Sequence, residues 1–303
     1  MKKFVAWTQW SDLSAPESID LRSPSNFPLE SSDLSEIDFY VPTYMSGQRG
    51  LDFVPQMTNL SYLQMPNAGY DDALAYARPG LVLCNATGVH DDSTAEIAIG
   101  LALASRRGFA EFSKDQTAGI WNHRSFTSFS DSKIGVIGHG SIGKTIIKNL
   151  SGFKVEVVAF SRSGSDGAVK ISELDQYLPT LDIVILIVPL NAESRHLFNA
   201  KRLGLMKDGA LIVNVARGPI IDTDALLDEL NSGRLHAALD VTDPEPLPAG
   251  HPLWQAKNLI LLPHVGGDST AFEPRGRALV TSQLELLATG RPLNNVVFDG
   301  NKA

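Results

Sequence analysis

Residues 133–144 read KIGVIGHGSIGK, an apolar run that meets three closely spaced glycines. The run up to position 137 has the pattern of a short buried strand, and the apolar residues of 142–150 recur at helical spacing. A second apolar run, residues 155–160, follows directly. The order strand, glycine loop, helix and strand predicts a βαβ unit.

The three glycines have the spacing of a loop that holds a phosphate group. Gly138 allows a tight turn, Gly140 lets the backbone approach a pyrophosphate, and Gly143 lets the helix pack closely on the strand. The anion would lie at the N-terminus of the helix. We therefore expect a dinucleotide held by Gly138, Gly140, Ser141, Ile142 and Gly143. The alternative is a glycine-rich turn that binds nothing.

The end of the second strand indicates which dinucleotide the chain binds. An acidic residue there would bind the ribose 2′-hydroxyl and repel a 2′-phosphate. The chain instead continues as Ser161, Arg162 and Ser163. An arginine pairs with a phosphate through two hydrogen bonds, and the hydroxyls can donate to it, so NADP is favoured over NAD. In the alternative interpretation Arg162 is a solvated loop residue, and Asp166 lies only a few residues away.

Length and composition set outer bounds on the function. A chain of 303 residues suggests about two domains, and 43% hydrophobic with 20% charged residues is ordinary for a soluble globular protein. A net charge of −8 argues against nucleic acid as a partner. The single cysteine, Cys84, lies in an apolar run, which predicts a buried, inert thiol and a cytoplasmic location. No apolar run is long enough for a membrane span.

The first hundred residues have the pattern of a small α/β domain. Strands are predicted at residues 3–7, 37–41, 59–65 and 81–84, and a connection rich in Ser, Pro and Asp occupies residues 11–35. A turn follows the third strand and contains Ala68 and Gly69. Its backbone N–H groups can face an anion, although a plain turn between strand and helix is the alternative.

A helix is predicted to begin at residues 91–96, with Ser93 and Glu96 at the spacing of a capping box, and to continue to Arg107. We place the first domain boundary there. The polar segment 113–132 that follows carries three aromatic rings, Trp121, His123 and Phe126. These rings cover a neighbouring subunit or pack on their own domain.

After the βαβ unit, four near-continuous apolar runs extend the same sheet as buried parallel strands, at residues 181–188, 210–215, 235–239 and 259–262. Thr223 is predicted to cap a helix between them, and a last helix is predicted at 271–287. Ligands bind at the carboxyl ends of such strands. The candidate residues there are Val188, Pro189, Val215, Ala216, Arg217, Asp240, Glu245, His264 and Gly266.

Several motifs occur in a fixed order: GHGSIG, VNVARGPIID, AALDVTDPEPLP and LLPHVGG, preceded by NAGYDDAL and NATGVHDDSTAEIAIGLALA. With these motifs the chain resembles the D-2-hydroxyacid dehydrogenase family over nearly its whole length. The resemblance implies an α/β fold of two Rossmann-like domains. A doubly wound parallel sheet forms the NAD(P)-binding domain, residues 94–269, and a smaller flavodoxin-like substrate domain is discontinuous, residues 1–93 and 270–303. The active site would lie in the cleft, and subunits would pair as a homodimer through the cofactor domain.

Carried over by motif, Arg217 matches the arginine that binds the 2-oxo acid, His264 the proton donor and Glu245 the carboxylate that pairs with it. Asp240 matches a carboxylate near the nicotinamide amide, and Ala68 and Gly69 match the loop that receives the substrate. The chemistry agrees, because reduction of a 2-oxo acid needs hydride at the carbonyl carbon and a proton at its oxygen. No cluster of residues has metal-ligand spacing. Taken singly, each residue has an ordinary structural alternative, such as a rigid solvated turn around Glu245.

Departures from the family pattern bear on the substrate. Residues 41–45, VPTYM, lack the Arg-Ser pair that holds a substrate phosphate in the phosphoglycerate dehydrogenase branch. Ile187 and Asn191 replace a usual histidine and threonine, so contacts with the cofactor differ in detail. We therefore expect a small 2-oxo acid such as glyoxylate, hydroxypyruvate or a longer 2-ketoacid.

Two other functions stay open at this point. One is an NAD(P)-sensing interaction protein resembling the C-terminal-binding-protein corepressors, which keep the Arg, Glu and His set. The other is formate oxidation, which is disfavoured because that relative pairs its histidine with glutamine, whereas Glu245 stands here.

Overall fold

The structure is a computed structural model that describes residues 3–302, and the chain divides into two compact units. The first unit comprises residues up to His90 together with those from Thr270 onward, and the second is Asp91–Ser269. Each unit is built on one sheet, with six strands in the first and seven in the second. The predicted α/β fold class, with two Rossmann-like sheets, is therefore confirmed.

The strands, in chain order, are β1 (Phe4–Trp7), β2 (Ile19–Arg22), β3 (Phe39–Tyr40), β4 (Tyr62–Gln64), β5 (Val82–Cys84), β6 (Lys133–Ile137), β7 (Glu156–Ser161), β8 (Val169–Lys170), β9 (Ile183–Leu186), β10 (Leu211–Asn214), β11 (His236–Leu239), β12 (Leu259–Leu261) and β13 (Val296–Asp299). The α-helices are α1 (Gln48–Leu51), α2 (Asp91–Arg106), α3 (Phe109–Ala118), α4 (Ser141–Leu150), α5 (Leu174–Tyr177), α6 (Ala200–Leu205), α7 (Thr223–Asn231) and α8 (Phe272–Ala288). Short 3₁₀ helices lie at Leu34–Glu36, Val54–Gln56, Asp71–Tyr76, Ile171–Glu173, Leu178–Thr180, Gly218–Ile220 and Pro252–Gln255.

The sheet of the second unit runs in the order β12-β11-β10-β9-β6-β7-β8, and all of its pairings are parallel. Side chains alternate between its two faces, as the period of a strand requires. Along β9, Ile183 and Ile185 pack on the side of α2 and α4, whereas Val184 and Leu186 pack on the side of α5, α6 and α7. All four are fully buried, which explains why such strands are continuous apolar runs in the sequence.

The sheet of the first unit runs in the order β13-β5-β4-β3-β1-β2, with β13 antiparallel to β5 and the other pairings parallel. Helix α8 buries Val280 and Leu284 against the sheet. Cys84 lies at the end of β5 and is 1% exposed, and burial raises the pKa of its thiol to about 12. The buried thiol that the sequence predicted is therefore confirmed.

Several short or exposed elements were not predicted from the sequence, among them β2, β8, β13, α1 and α3, and each lacks a strong periodic signal. Strands β2 and β13 are short edge strands, and β2 lies inside the segment that we assigned to a connection. Helix α3 begins at Phe109, after the end of the predicted helix at Arg107, and extends into the predicted polar segment 113–132. None of its residues is buried. A helix without a buried face shows no apolar stripe, so its boundaries come instead from Gly108 and Gly119, whose φ angles are 65° and 69°.

Two predicted helix caps were wrong. Helix α2 begins at Asp91, so Ser93 lies inside its first turn, where its hydroxyl forms a 2.6 Å hydrogen bond with that of Ser269. Helix α7 is capped by Asp222, whose side chain accepts a hydrogen bond from the backbone N–H of Ala225. Thr223 instead donates its hydroxyl to the carbonyl of Asp243. Because Asp and Thr are both good caps, the sequence alone did not distinguish adjacent positions.

Candidate active site

The residues predicted to bind ligands in the second unit follow the carboxyl ends of five neighbouring strands. Since these strands are parallel, their carboxyl ends lie at one edge of the sheet. Gly138 follows β6, Val188 and Pro189 follow β9, Val215 and Ala216 follow β10, Asp240 follows β11, and His264 and Gly266 follow β12. The sheet thereby gathers at one edge residues that are far apart in the chain.

The glycine loop between β6 and α4 has the geometry of a phosphate-binding turn. Gly138 has a φ of 120°, and a Cβ there would stand 2.1 Å from the carbonyl oxygen of Ile187. A Cβ at Gly143 would stand 2.0 Å from the carbonyl oxygen of Gly138, so neither position accepts a larger residue. A Cβ at Gly140 would meet nothing within 4 Å. The side of the loop at Gly140 is open, next to the N-terminus of α4 at Ser141, which fits the approach of a pyrophosphate.

The loop after β7 carries the residues predicted to choose the cofactor. Strand β7 ends at Ser161, whose hydroxyl accepts a hydrogen bond from the backbone N–H of Gly164 at 3.0 Å. Arg162 and Ser163 are exposed, and Ser163 forms a 2.8 Å hydrogen bond with the hydroxyl of Ser165. These residues present a cation and hydroxyls to solvent at the place where a Rossmann fold binds the adenosine ribose.

Asp240 organises the loop that contains His264. It is 2% exposed, and its two carboxylate oxygens accept hydrogen bonds from the backbone N–H groups of Val265 (2.8 Å) and Gly266 (2.9 Å). The N–H of His264 donates to the carbonyl of Asp240 at 2.8 Å, and His264 has a φ of 56°. A histidine in this left-handed region is uncommon, and here three hydrogen bonds to one residue hold the loop that contains it.

His264 and Glu245 form a close pair. The Nδ1 atom of His264 lies 2.5 Å from Oε1 of Glu245, and the two side chains are 37% and 38% exposed. Burial alone would raise the pKa of the Glu245 carboxyl. The hydrogen bond and charge of His264, a hydrogen bond with the Thr242 backbone and the charge of Arg217 outweigh it and hold the pKa below its usual value. Glu245 is therefore an anion at neutral pH, and it leaves Nε2 of His264 for another partner.

Arg217 lies just beyond β10 and close enough to Glu245 for its charge to act on that carboxyl. Asn214, the last residue of β10, fixes the backbone there. Its side chain accepts from the N–H of Ala216 at 3.0 Å and donates to the carbonyl of Arg217 at 2.9 Å. A Cβ at Gly218 would stand 1.9 Å from the carbonyl oxygen of Thr242, so this loop packs tightly against the one that leads to Glu245.

Asn214 and the structural role of Asp240 were missed by the sequence analysis. The available signal for Asn214 was one buried amide in an otherwise apolar strand. The residues that replace the usual family pair have local roles: Ile187 packs near Gly138 and Gly143, and Asn191 accepts hydrogen bonds from the N–H groups of Glu193 and Ser194.

Ala68 and Gly69 belong to the first unit, on the loop after β4. The carbonyl of Ala68 accepts a 2.7 Å hydrogen bond from the side chain of Asn85, and the carbonyl of Asn67 accepts one from the N–H of Ala86. The Oδ1 atom of Asn67 is buried, and no residue between positions 3 and 302 forms a hydrogen bond with it. The loop is thus fixed by its carbonyl groups.

Residues 3–302 hold neither a metal-binding cluster nor a helix suited to a membrane. They contain no group of three or more His, Cys, Asp and Glu side chains arranged to hold a metal ion. Within the same range, no helix has the length and apolar character required to cross a membrane.

Comparison with known proteins agrees with the geometry. The profile of the D-isomer specific 2-hydroxyacid dehydrogenase NAD binding domain matches residues 99–266. A glyoxylate reductase of Thermofilum pendens is 35% identical over 245 residues, which cover 76% of this chain and 72% of that protein. The chain therefore belongs to the D-isomer specific 2-hydroxyacid dehydrogenase family. It is an oxidoreductase that uses a nicotinamide cofactor.

Solved structures show the same fold over the whole chain. A family member from Aeromonas salmonicida is 25% identical, with a TM-score of 0.85 over 99% of this chain and 100% of that one. Another from Xanthobacter autotrophicus, in complex with NADPH and MES, is also 25% identical, with a TM-score of 0.78 over 100% of this chain and 99% of that one.

Proposed function

We propose that this protein reduces a small 2-oxo acid to the D-2-hydroxy acid with NADPH. The observation that carries the proposal is the 2.5 Å pair of His264 and Glu245, with the charge of Arg217 acting on the same carboxylate. An acid, its anionic partner and a cation that recognises carboxylates thus lie together at the edge of the sheet where ligands bind.

Each residue of this set has one role in the reduction. The reduced nicotinamide, when bound, supplies a hydride to the carbonyl carbon of the substrate. His264 donates a proton from Nε2 to the carbonyl oxygen as the negative charge develops there. Glu245 fixes the tautomer and orientation of the imidazole through Nδ1 and stabilises its protonated form. Arg217 holds the substrate carboxylate and carbonyl oxygen with its planar guanidinium. Ala68 and Gly69 stay predicted contacts of the substrate carboxylate.

The loop after β7 supports the proposed preference for NADPH. Arg162 is exposed, no carboxylate occupies the strand end, and two serine hydroxyls flank the arginine. The relative from Xanthobacter autotrophicus was solved with NADPH, which supports the same cofactor here. If Arg162 pairs with the 2′-phosphate, Arg162→Ala should lower the ratio of NADPH to NADH efficiency about tenfold or more. An unchanged ratio would remove Arg162 from the cofactor site.

The substrate proposed is glyoxylate or hydroxypyruvate. The Thermofilum pendens relative is a glyoxylate reductase. The loop after β3 offers Thr43, Tyr44 and Met45 in place of an arginine that could hold a phosphate, so a phosphorylated substrate is disfavoured. A panel of 2-oxo acids with NADPH and NADH tests this directly. We expect a small unphosphorylated 2-oxo acid with NADPH to be the most efficient pair. No oxidation of either cofactor by any 2-oxo acid would favour the nucleotide-sensing alternative.

We further propose that the protein pairs as a homodimer through the second unit. Phe109 is 60% exposed, and Ile120 and Trp121, just beyond α3, are 56% and 98% exposed. Large apolar side chains with this exposure, aromatic ones above all, are enriched where proteins pair. Sedimentation of the wild type and of Trp121→Ser tests the assignment. A dimer that weakens with Trp121→Ser is expected, and a monomeric wild type would contradict it.

A further inference from the structure

An ion pair joins the glycine loop region to the loop that chooses the cofactor. The Nζ atom of Lys144, in the first turn of α4, lies 2.9 Å from Oδ2 of Asp166 in the loop after β7. The two residues are 22 positions apart in the chain. Both side chains are more than half exposed, at 53% and 67%. The pair is thus on the surface, and it is open to exchange with another ion.

The backbone of the loop turns Asp166 back toward α4. Gly164, Asp166 and Gly167 have φ angles of 70°, 55° and 79°, all in the left-handed region. Asp is one of the few residues other than Gly that tolerates this conformation. The hydrogen bond and charge of Lys144, together with the charge of His139 in the glycine loop, hold the pKa of the Asp166 carboxyl below its usual value. An anion therefore stands beside Lys144, in the loop that also carries Arg162.

Asp166 bears on cofactor choice because Arg162 and Ser163 lie in the same short loop, directly after Ser161 at the end of β7. A 2′-phosphate bound by Arg162 would bring up to two negative charges into the neighbourhood of Asp166. Lys144 would then be shared between a carboxylate and a phosphate. A ribose with a free 2′-hydroxyl meets no such repulsion.

We propose that Asp166 is a specificity-determining residue that opposes the 2′-phosphate and competes with it for Lys144. The ion pair limits the preference for NADPH that Arg162 creates, and it keeps NADH usable. This inference rests on the proposed cofactor preference, since it concerns the same phosphate.

The test is the binding of two fragments, adenosine 2′,5′-bisphosphate and adenosine 5′-monophosphate, measured by calorimetry at low salt. Asp166→Asn should tighten the bisphosphate about three- to tenfold and leave the monophosphate unchanged, because screening is weak at low ionic strength. Asp131→Asn is the matched control. Asp131 forms a similar exposed pair with Lys154 at 2.8 Å, ahead of β6 in the same unit, so the net charge changes equally.

Lys144→Gln distinguishes two effects of Asp166: direct repulsion of the 2′-phosphate and competition with that phosphate for Lys144. Lys144→Gln should weaken the binding of the bisphosphate. In a protein that already carries Lys144→Gln, Asp166→Asn should change this affinity less than it does in the wild type, because no lysine ammonium is left for the phosphate to gain. The inference would be overturned if Asp166→Asn and Asp131→Asn changed the ratio of bisphosphate to monophosphate affinity by the same factor. A wild type that binds the bisphosphate no more tightly than the monophosphate would contradict the proposed NADPH preference, whereas the comparison of the two aspartate variants would still decide the role of Asp166.

Discussion

His264 and Asp240 are joined through the backbone: the N–H of His264 donates to the carbonyl of Asp240 at 2.8 Å. The carboxylate of the same Asp240 accepts from the next two backbone N–H groups, so one buried residue at the end of β11 holds the loop after β12. The position of the His264 imidazole is therefore set by a residue at the end of a buried strand. Side chains supported by strands and helices are held more precisely than side chains on free loops, and catalysis requires that precision.

Gly266→Ala tests whether this loop positions His264. The new Cβ would stand 2.7 Å from Oδ2 of Asp240, so either this carboxylate or the loop that it holds has to move. The resulting displacement of His264 should lower kcat/KM for the best 2-oxo acid about 10- to 100-fold. Gly204→Ala in α6 is the control, because a Cβ there meets nothing within 4 Å, and its activity should equal that of the wild type. A folded Gly266→Ala enzyme with wild-type efficiency would show that the loop does not need this geometry.

Arg217→Lys tests whether the arginine acts through geometry as well as charge. Lysine keeps the cation but cannot hold two substrate oxygens in one plane. The loss of one charge-assisted bond and some orientation should cost about 2–4 kcal/mol, or about 30- to 1000-fold in kcat/KM. The exposed Arg195, changed to Lys, serves as the control. An Arg217→Lys enzyme that binds NADPH normally and works within about threefold of the wild type would remove Arg217 from the active site.

Asp182→Asn tests an electrostatic contribution to stability, at the edge of the sheet opposite the site. Its oxygens accept from the N–H of Lys133 (2.9 Å) and from Nζ of Lys207 (2.6 Å). Burial would raise the pKa of this carboxyl, but these partners hold it below the usual value. A folded-state pKa below the unfolded one stabilises the protein above the unfolded pKa, and this contribution is lost as the pH falls through the folded pKa.

Asp182→Asn should therefore lower the free energy of unfolding by about 1–2 kcal/mol at neutral pH, with a difference that shrinks as the pH falls below the ordinary pKa of an aspartate and then through the lower folded-state pKa. Urea unfolding at several pH values measures it. A difference between the variant and the wild type that is constant with pH would show that the charge of Asp182 is not the cause.

Much of the second unit could be predicted from the sequence because its signals are local. The glycine spacing and the buried apolar runs mark the βαβ unit and the strands that extend it. Once the strands are parallel, the residues after them must share one edge, which brings Glu245 and His264 together across 19 positions. Chain order and strand direction were sufficient for that part of the site.

The remaining features depend on loop conformations that the spacing of residues in the sequence does not specify. The pairing of Lys144 with Asp166 requires a loop with three left-handed residues, and Asp240 was recognised as a candidate ligand rather than as the acceptor for two loop amides. Helix α3 has no buried face, so its residues resemble a polar connection. These features come from tertiary contacts, which local patterns do not specify.

The most direct measurement of the central claim is the pH dependence of 2-oxo acid reduction by the wild type and by Glu245→Gln. The low pKa of Glu245 keeps its negative charge beside Nδ1 of His264 throughout the working range, and this charge favours the protonated imidazole that donates the proton. Removing the charge should move the alkaline limb of kcat/KM toward acid, because the anion that favours the proton-donating form is then gone. Deuterated NADPH should show by its isotope effect that hydride transfer limits the rate. If hydride transfer limits the rate in both folded enzymes and their pH profiles of kcat/KM still coincide, the proposed pairing of His264 with Glu245 in catalysis is contradicted.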